Sequence, residues 1–397
     1  MNILLVFLYI SIPFLPLFGE VDRIASQWLS LSIVNFISLL YIFYNKSEKA
    51  NFDLALIKKS NLIYIGFLFV SLLSIISSVN PAESFVELFR YLSFFIALIS
   101  FQTLTKRTNF NLLIVLIVIT VGIEISGIMA QYLQGLPMIG FTGNKNIAVV
   151  SLALKLNFVY LLIFRSKNIV SKILLSIIPL IGVFLIMKIA SKLGILLITL
   201  TVLGYIVYSI ITIIFNSDFR FLKIAIIITT IFSLNYLIDS NSNINTALNQ
   251  TVNYELDQGN LDRLKYYGQV FESFKENPIL GIGFGNWKIH SIKYDALVMK
   301  NYIVQYHAHN DFLQILAETG LFGFSLLLLF FVYFFVEFIK LSFKKPEIVF
   351  LFASFMCYFL DMNLNFPSAR VIAQLNLIFI ISFFYIYKNS NKENGLH

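Results

Sequence analysis

The run Tyr306-His307-Ala308-His309-Asn310-Asp311 stands between a polar stretch and a long apolar one, and Glu318 follows within two helical turns. Three of the four histidines, His290, His307 and His309, fall in this region; the fourth, His397, is the last residue of the sequence. An imidazole has an ordinary pKa of about 6.5 and can take up or release a proton near neutrality. Proton-transfer chemistry therefore has essentially one place to occur. A His-X-His pair in an extended segment puts both rings on one side, so His307, His309, Asp311 and Glu318 can also be read as the ligand set of a metal hydrolase, one that chelation would silence. Cys357 is the only cysteine and lies in an apolar stretch, which leaves neither a disulfide framework nor a thiolate metal site.

The chain that must position these groups is built for lipid. It is 58% hydrophobic and 13% charged, against about 25% charged residues in soluble domains. The fold class is all-α, a polytopic membrane protein. A spanning helix needs roughly 20 apolar residues, and about twelve stretches qualify, near 3–19, 28–44, 61–78, 84–104, 110–129, 146–164, 170–187, 193–214, 221–239, 312–339, 347–362 and 371–387. The first contains Pro13 and Pro16, has no basic leader and is followed at once by further spans, so it reads as a retained helix rather than a cleaved signal.

Basic residues set the orientation, because short cytoplasmic loops retain Lys and Arg. With the N-terminus inside, the cytoplasmic segments hold sixteen: Lys46, Lys49, Lys58, Lys59, Lys106, Arg107, Arg165, Lys167, Lys172, Arg220, Lys223, Lys340, Lys344, Lys345, Lys388 and Lys392. The short external loops hold five: Arg23, Lys145, Lys188, Lys192 and Arg370. This places the long 240–311 segment outside, in the periplasm or extracellular space. It also accounts for the net charge of +8 without a nucleic-acid partner. No internal repeat or soluble domain boundary interrupts residues 1–397, so the expectation is a single integral membrane domain with 240–311 as its one large external loop. A transporter would be equally apolar, but inverted repeats or paired broken helices around a midplane site are expected of one. Neither is visible in the sequence.

Within the loop, Asn260 can cap a helix in which Leu261, Leu264, Tyr267, Val270, Phe271 and Phe274 recur at helical spacing, and Asn277-Pro278 would stop it. Gly281, Gly283 and Gly285 then surround Ile282, Phe284 and Trp287, a turn-rich stretch whose aromatics can rest at the membrane surface. The loop is expected to lie against the bundle as a lid or wall.

Asp262-Arg263 on that helix, Asn277-Pro278-Ile279-Leu280-Gly281-Ile282-Gly283, and His307-Ala308-His309-Asn310-Asp311 with Gly320 and Gly323 behind it resemble the O-antigen ligase and polymerase superfamily. The ligase pattern of a histidine, then Asn, Ser or Gln, nine residues and a glycine, is met by His309, Asn310 and Gly320. Gly143-Asn144-Lys145-Asn146 and Ala190-Ser191-Lys192 extend the likeness.

The resemblance implies a GT-C-like, metal-independent, inverting glycosyltransferase with no cofactor. Its donor would be an undecaprenyl-diphosphate-linked glycan on the outer face of the bacterial inner membrane. Its acceptor would be a hydroxyl of the lipid A core or of another glycan. The leading reading is an O-antigen ligase. An O-antigen or polysaccharide polymerase and a protein O-oligosaccharyltransferase stay open beside it. Under this reading His309 is the general base, and Arg263 and Lys192 bind the diphosphate. Family members usually carry arginine at the position of Lys192, and lysine lacks the planar fork for bidentate phosphate binding. His307, Asn310, Glu318, Asn144, Lys145, Asn146 and Arg370 are supporting or acceptor-binding candidates, though Asn144, Lys145 and Asn146 read equally well as turn formers. Glu87 and Arg90, three apart, are expected to neutralise each other. Glu124 is placed near the external end of its span as a possible part of the donor pocket.

Overall fold

A computed structural model of the chain describes residues 1–15, 24–214, 258–295 and 306–393. Among these residues every regular element is helical. We number the helices of more than one turn α1 (Asn2–Ser11), α2 (Ile24–Tyr44), α3 (Lys46–Leu56), α4 (Lys59–Ser74), α5 (Pro81–Thr105), α6 (Phe110–Leu133), α7 (Lys145–Arg165), α8 (Ile169–Ile189), α9 (Lys192–Ile214), α10 (Gln258–Glu276), α11 (Asp311–Ser342), α12 (Ile348–Leu364) and α13 (Val371–Glu393). Eight of the described helices are long and apolar enough to cross a membrane, and three shorter apolar ones, at Asn2–Phe14, Lys192–Tyr208 and Ile348–Leu364, accompany them. These eleven coincide with eleven of the twelve stretches expected from the sequence. The twelfth, 221–239, lies outside the described residues. The first is shorter than expected: α1 gives way to a 3-10 turn at Ile12–Phe14, where Pro13 interrupts the α-helical hydrogen bonding.

The chain is a multi-pass membrane protein with a protein-lined interior. In α7 and α13, 83% and 89% of the most apolar window is buried, against 28% to 50% in the other six candidate spans. These two are therefore the central helices, and the rest turn one face to lipid. On α2 that face is Leu29, Ile33, Phe36 and Leu40, spaced one helical turn apart and all exposed. Aromatic rings fill the contact between α4, α5 and α11; Tyr64 lies parallel to Phe95 at 5.4 Å and edge-on to Phe330 at 5.2 Å.

Contacts at the two ends confirm that the helices alternate in direction. At one end Trp28 Nε1 donates to the Ala369 carbonyl, 3.2 Å, and Asn80 pairs with Asn286. At the other, Arg165 bonds Tyr387 and Lys388 pairs with Glu337. The first of these we call the histidine end.

One buried ion pair lies deep within the bundle. Lys155 of α7 meets Glu124 of α6 at 2.6 Å, and Ser151 donates to the same carboxylate at 3.1 Å. Glu124 is thus a partner of Lys155, ten residues down α7, rather than a group free to line a pocket. Glu87 and Arg90 do pair as expected, at 3.0 Å.

Candidate functional site

The site is organised by a break in α11. At Gly320 the backbone leaves helical geometry (φ 64°, ψ −165°). A helix end strands carbonyls behind it and amides ahead of it, and the segment after α10 satisfies both. Ile282 N and Gly283 N donate to the carbonyls of Ala317 and Glu318, at 2.9 and 3.0 Å, while Leu321 N donates to Pro278 O at 2.9 Å. The approach is backbone against backbone. A Cβ on Gly320 would overlap the Ile279 carbonyl oxygen, and one on Gly281 would overlap Glu318. The Asn-Pro-X-Leu-Gly-X-Gly run and the glycine closing the histidine pattern are therefore two halves of one joint. Beyond it Asn286 ties the segment to Asn80 and Ser84. Ile282, Phe284 and Trp287 are fully buried in protein, at 1%, 0% and 0% exposure. They do not rest at the membrane surface, because the joint draws this segment between α5 and α11.

Helix α10 packs on α11 through Tyr266 and Val270, which meet Trp287, Ala308, Leu313 and Ala317. It starts at Gln258, so Asn260 lies within its first turn rather than capping it, and it stops at Glu276 before Asn277-Pro278 as expected. Of the residues recurring at helical spacing, Val270 is buried while Leu261, Leu264 and Phe271 are exposed, and Gln269 and Ser273 are buried beside Val270.

The joint and α10 hold the two histidines. Asn310 caps α11 by accepting from Leu313 N at 3.0 Å, and its Nδ2 donates to Asn363 O at 3.1 Å. Just before it, His309 adopts a left-handed conformation, φ 56°. Its ring lies across Phe366 at 5.2 Å and beside Tyr266 at 6.4 Å. Its Nδ1 is buried without a hydrogen-bond partner. Burial first, and then the positive charge of Arg263, hold its pKa below the usual 6.5. His307 stacks flat on Phe366, 4.1 Å between centroids and 10° between planes. Burial, with the nearby charges of His309 and Arg370, pushes its pKa down to about 3. His307 is thus a fixed neutral ring, and His309 is likewise held toward its neutral form.

The carboxylates do not converge on the histidines. Asp311 accepts from Ser368 N and Oγ, at 2.9 and 2.8 Å. Glu318, 1% exposed, accepts from Trp287 N and Gln314 Nε2, both at 3.1 Å. Gln314 in turn accepts from Ala308 N at 3.1 Å and bonds the His307 side chain. Glu318 therefore reaches an imidazole through Gln314. Among the described residues no three His, Cys, Asp or Glu side chains are grouped to hold a metal ion, so His307, His309, Asp311 and Glu318 do not form the hydrolase-like ligand set.

Two arginines flank the histidines. Arg263, half-buried on α10, makes no hydrogen bond or ion pair among the described residues, and its charge is felt at His309. Arg370 places its guanidinium 5.3 Å from the Phe366 ring centre. It also lines a small pocket with Ile24, Gln27, Thr142, Ile147 and Ile372, which links the histidines to the turn before α7. That turn is pinned by Gln131, whose Oε1 accepts from Ile139 N and Gly140 N at 3.0 and 2.8 Å. Asn144 caps α7 by accepting from Asn146 N at 2.9 Å. Asn146 accepts from Ser191 Oγ at 2.7 Å, so the starts of α7 and α9 are joined. Lys145 and Lys192 are the first residues of these two helices and both are exposed. The helix dipole disfavours a cation there, whereas an anion would be favoured by both the amides and the lysines. No contact joins Lys192 directly to His309.

Sequence reasoning passed over Gln314, Phe366, Tyr266 and Lys155. Gln314 had a signal, since Asn310, Gln314 and Glu318 recur every four residues on one face of α11. Arg90, read only as the partner of Glu87, also bears electrostatically on His307. Phe366 had no signal, because it reaches the histidines from more than fifty residues away.

Residues 138–328 match the family model described as O-Antigen ligase. The matched stretch contains Asn144, Lys192, Arg263, the joint and both site histidines, and stops short of Phe366 and Arg370. No curated protein matches the chain.

Proposed function

The chain is a member of the O-antigen ligase superfamily, and on that premise we propose that it moves a glycan from undecaprenyl diphosphate to an acceptor hydroxyl at its histidine end, in the manner of an O-antigen ligase. The observation that carries this reading is His309: a ring whose Nδ1 has no hydrogen-bond partner, held toward its neutral form by burial and by Arg263, an arginine with no counter-ion among the described residues.

In the proposed step the acceptor hydroxyl gives its proton to His309 as its oxygen attacks the anomeric carbon. The bond from that carbon to the diphosphate oxygen breaks, and undecaprenyl diphosphate departs with the electron pair. Attack from the face opposite the leaving group inverts the centre. Arg263 offers a planar fork to the phosphate oxygens. Lys192 and Lys145, at the joined starts of α7 and α9, add charge where anions are favoured. With protein cations in these roles, neither a nucleotide nor a metal is required. His307, held by Gln314 and Phe366, shapes the pocket and excludes water, and Glu318 fixes Gln314. The bias of basic residues supports an external histidine end, and the family likeness supports a bacterial inner membrane.

The test is reconstitution with an undecaprenyl-diphosphate-linked glycan, offering separately a lipid A core and a second lipid-linked glycan. Transfer to the core establishes a ligase, and a ladder of lengthened lipid-linked chains establishes a polymerase. No product with either would overturn both readings and direct the search to a protein acceptor.

A further inference from the structure

A second charged wall faces the histidines from α5, and its chemistry differs from that around Arg263. Glu83, Glu87 and Arg90 recur at i, i+4 and i+7, so they share one helix face. All three are half-buried. The opposite side of the helix shows Phe85, Val86 and Phe89, exposed as a lipid-facing surface. Glu83 binds Lys288 at 2.6 Å, and Glu87 binds Arg90 at 3.0 Å. Lys288 Nζ lies 5.8 Å from the centre of the Tyr306 ring, and Tyr306, 62% exposed, immediately precedes His307. The glycine segment is pressed against this wall: a Cβ on Gly285 would lie 2.8 Å from Glu87 Cβ and 3.0 Å from Glu83 O.

Two carboxylates and two cations cancel here, so the wall offers little attraction to a diphosphate. It does present fixed acceptors and donors side by side, the pattern that recognises neighbouring hydroxyls through charge-assisted hydrogen bonds. The exposed Tyr306 ring adds a flat apolar surface suited to the C–H face of a pyranose. We propose that Glu83, Lys288 and Tyr306, backed by the Glu87–Arg90 pair, form the subsite for the acceptor sugar. The donor diphosphate would then bind on the other side of the histidines, toward Arg263 and Arg370. The inference rests on the glycosyl-transfer reading.

The experiment is transfer in proteoliposomes, with the lipid-linked donor saturating and the acceptor glycan used by the wild type titrated, then the reverse. Tyr306→Ala and Glu83→Gln should each raise the acceptor KM by about tenfold and leave the donor KM within about twofold. Tyr306→Phe keeps the ring and should retain the wild-type acceptor KM, which a purely structural hydroxyl would not allow. Wild-type transfer with unchanged acceptor KM in both variants, or a change in donor KM alone, would overturn the subsite and leave the general reading standing. Absence of transfer by the wild type would overturn both.

Discussion

Lys155 and Arg263 are both cations held away from bulk water on helices, yet their surroundings are opposite. Lys155, 2% exposed, has Glu124 at 2.6 Å, with Ser151 on the same carboxylate and Asn376 donating to Ser151 at 3.4 Å. Arg263 has no such partner among the described residues and sits where its charge weighs on His309. Taking a charge out of water is repaid only by a well-placed counter-charge. Where that counter-charge is built in, as at Lys155, the pair joins α6 to α7 and serves the fold. Where none stands among the described residues, as at Arg263, the cation is available to an anion from outside them. The same contrast separates the charge-balanced wall of α5 from Arg263.

The contrast breaks most visibly at the buried pair. Glu124→Gln should cost about 3–5 kcal/mol of stability by leaving Lys155 uncompensated, and Glu124→Gln with Lys155→Met should restore most of it; thermal unfolding in detergent reads both. Arg263→Ala should do the reverse, changing stability by less than about 0.5 kcal/mol while raising the donor KM about 10- to 100-fold. Equal loss of stability in the two single variants would erase the distinction. A smaller effect concerns pH. Because burial and Arg263 lower the pKa of His309, the neutral base persists below about pH 6.5, and kcat should fall only as pH drops through that lowered value. Arg263→Gln removes the positive charge, so the acid limb of the kcat profile should move to higher pH; an unmoved limb would detach Arg263 from His309. The smallest change is expected for Lys192→Arg, which should leave donor use unchanged or improve it through bidentate binding. Inactivity of that well-folded variant would remove Lys192 from the diphosphate site.

Sequence reading reached as far as local pattern allows. The apolar stretches placed eleven helices because hydropathy acts over about 20 residues, and Asn277-Pro278 marked the end of α10 because proline has no amide to continue the helix. His309, Asn310 and Gly320 were legible as a spacing. What the spacing builds was not, since the joint depends on Pro278, Ile282 and Gly283 pairing with residues some forty positions away. Lys155 was averaged into an apolar stretch, and only the fold brings Glu124 to it from 31 residues back. The burial of Trp287 was hidden for a related reason: Tyr266 and Val270 of α10 meet it only in the fold, whereas the sequence had assigned it to the membrane surface.

The central claim is that His309 accepts the proton of the acceptor hydroxyl. The direct measurement is single-turnover transfer in proteoliposomes by wild type and His309→Ala, with donor binding and membrane insertion followed in parallel. The account predicts a rate lower by roughly 100- to 10,000-fold with donor binding and insertion intact. A correctly inserted His309→Ala protein that transfers within about threefold of the wild-type rate, too small a change for loss of a general base, would contradict it.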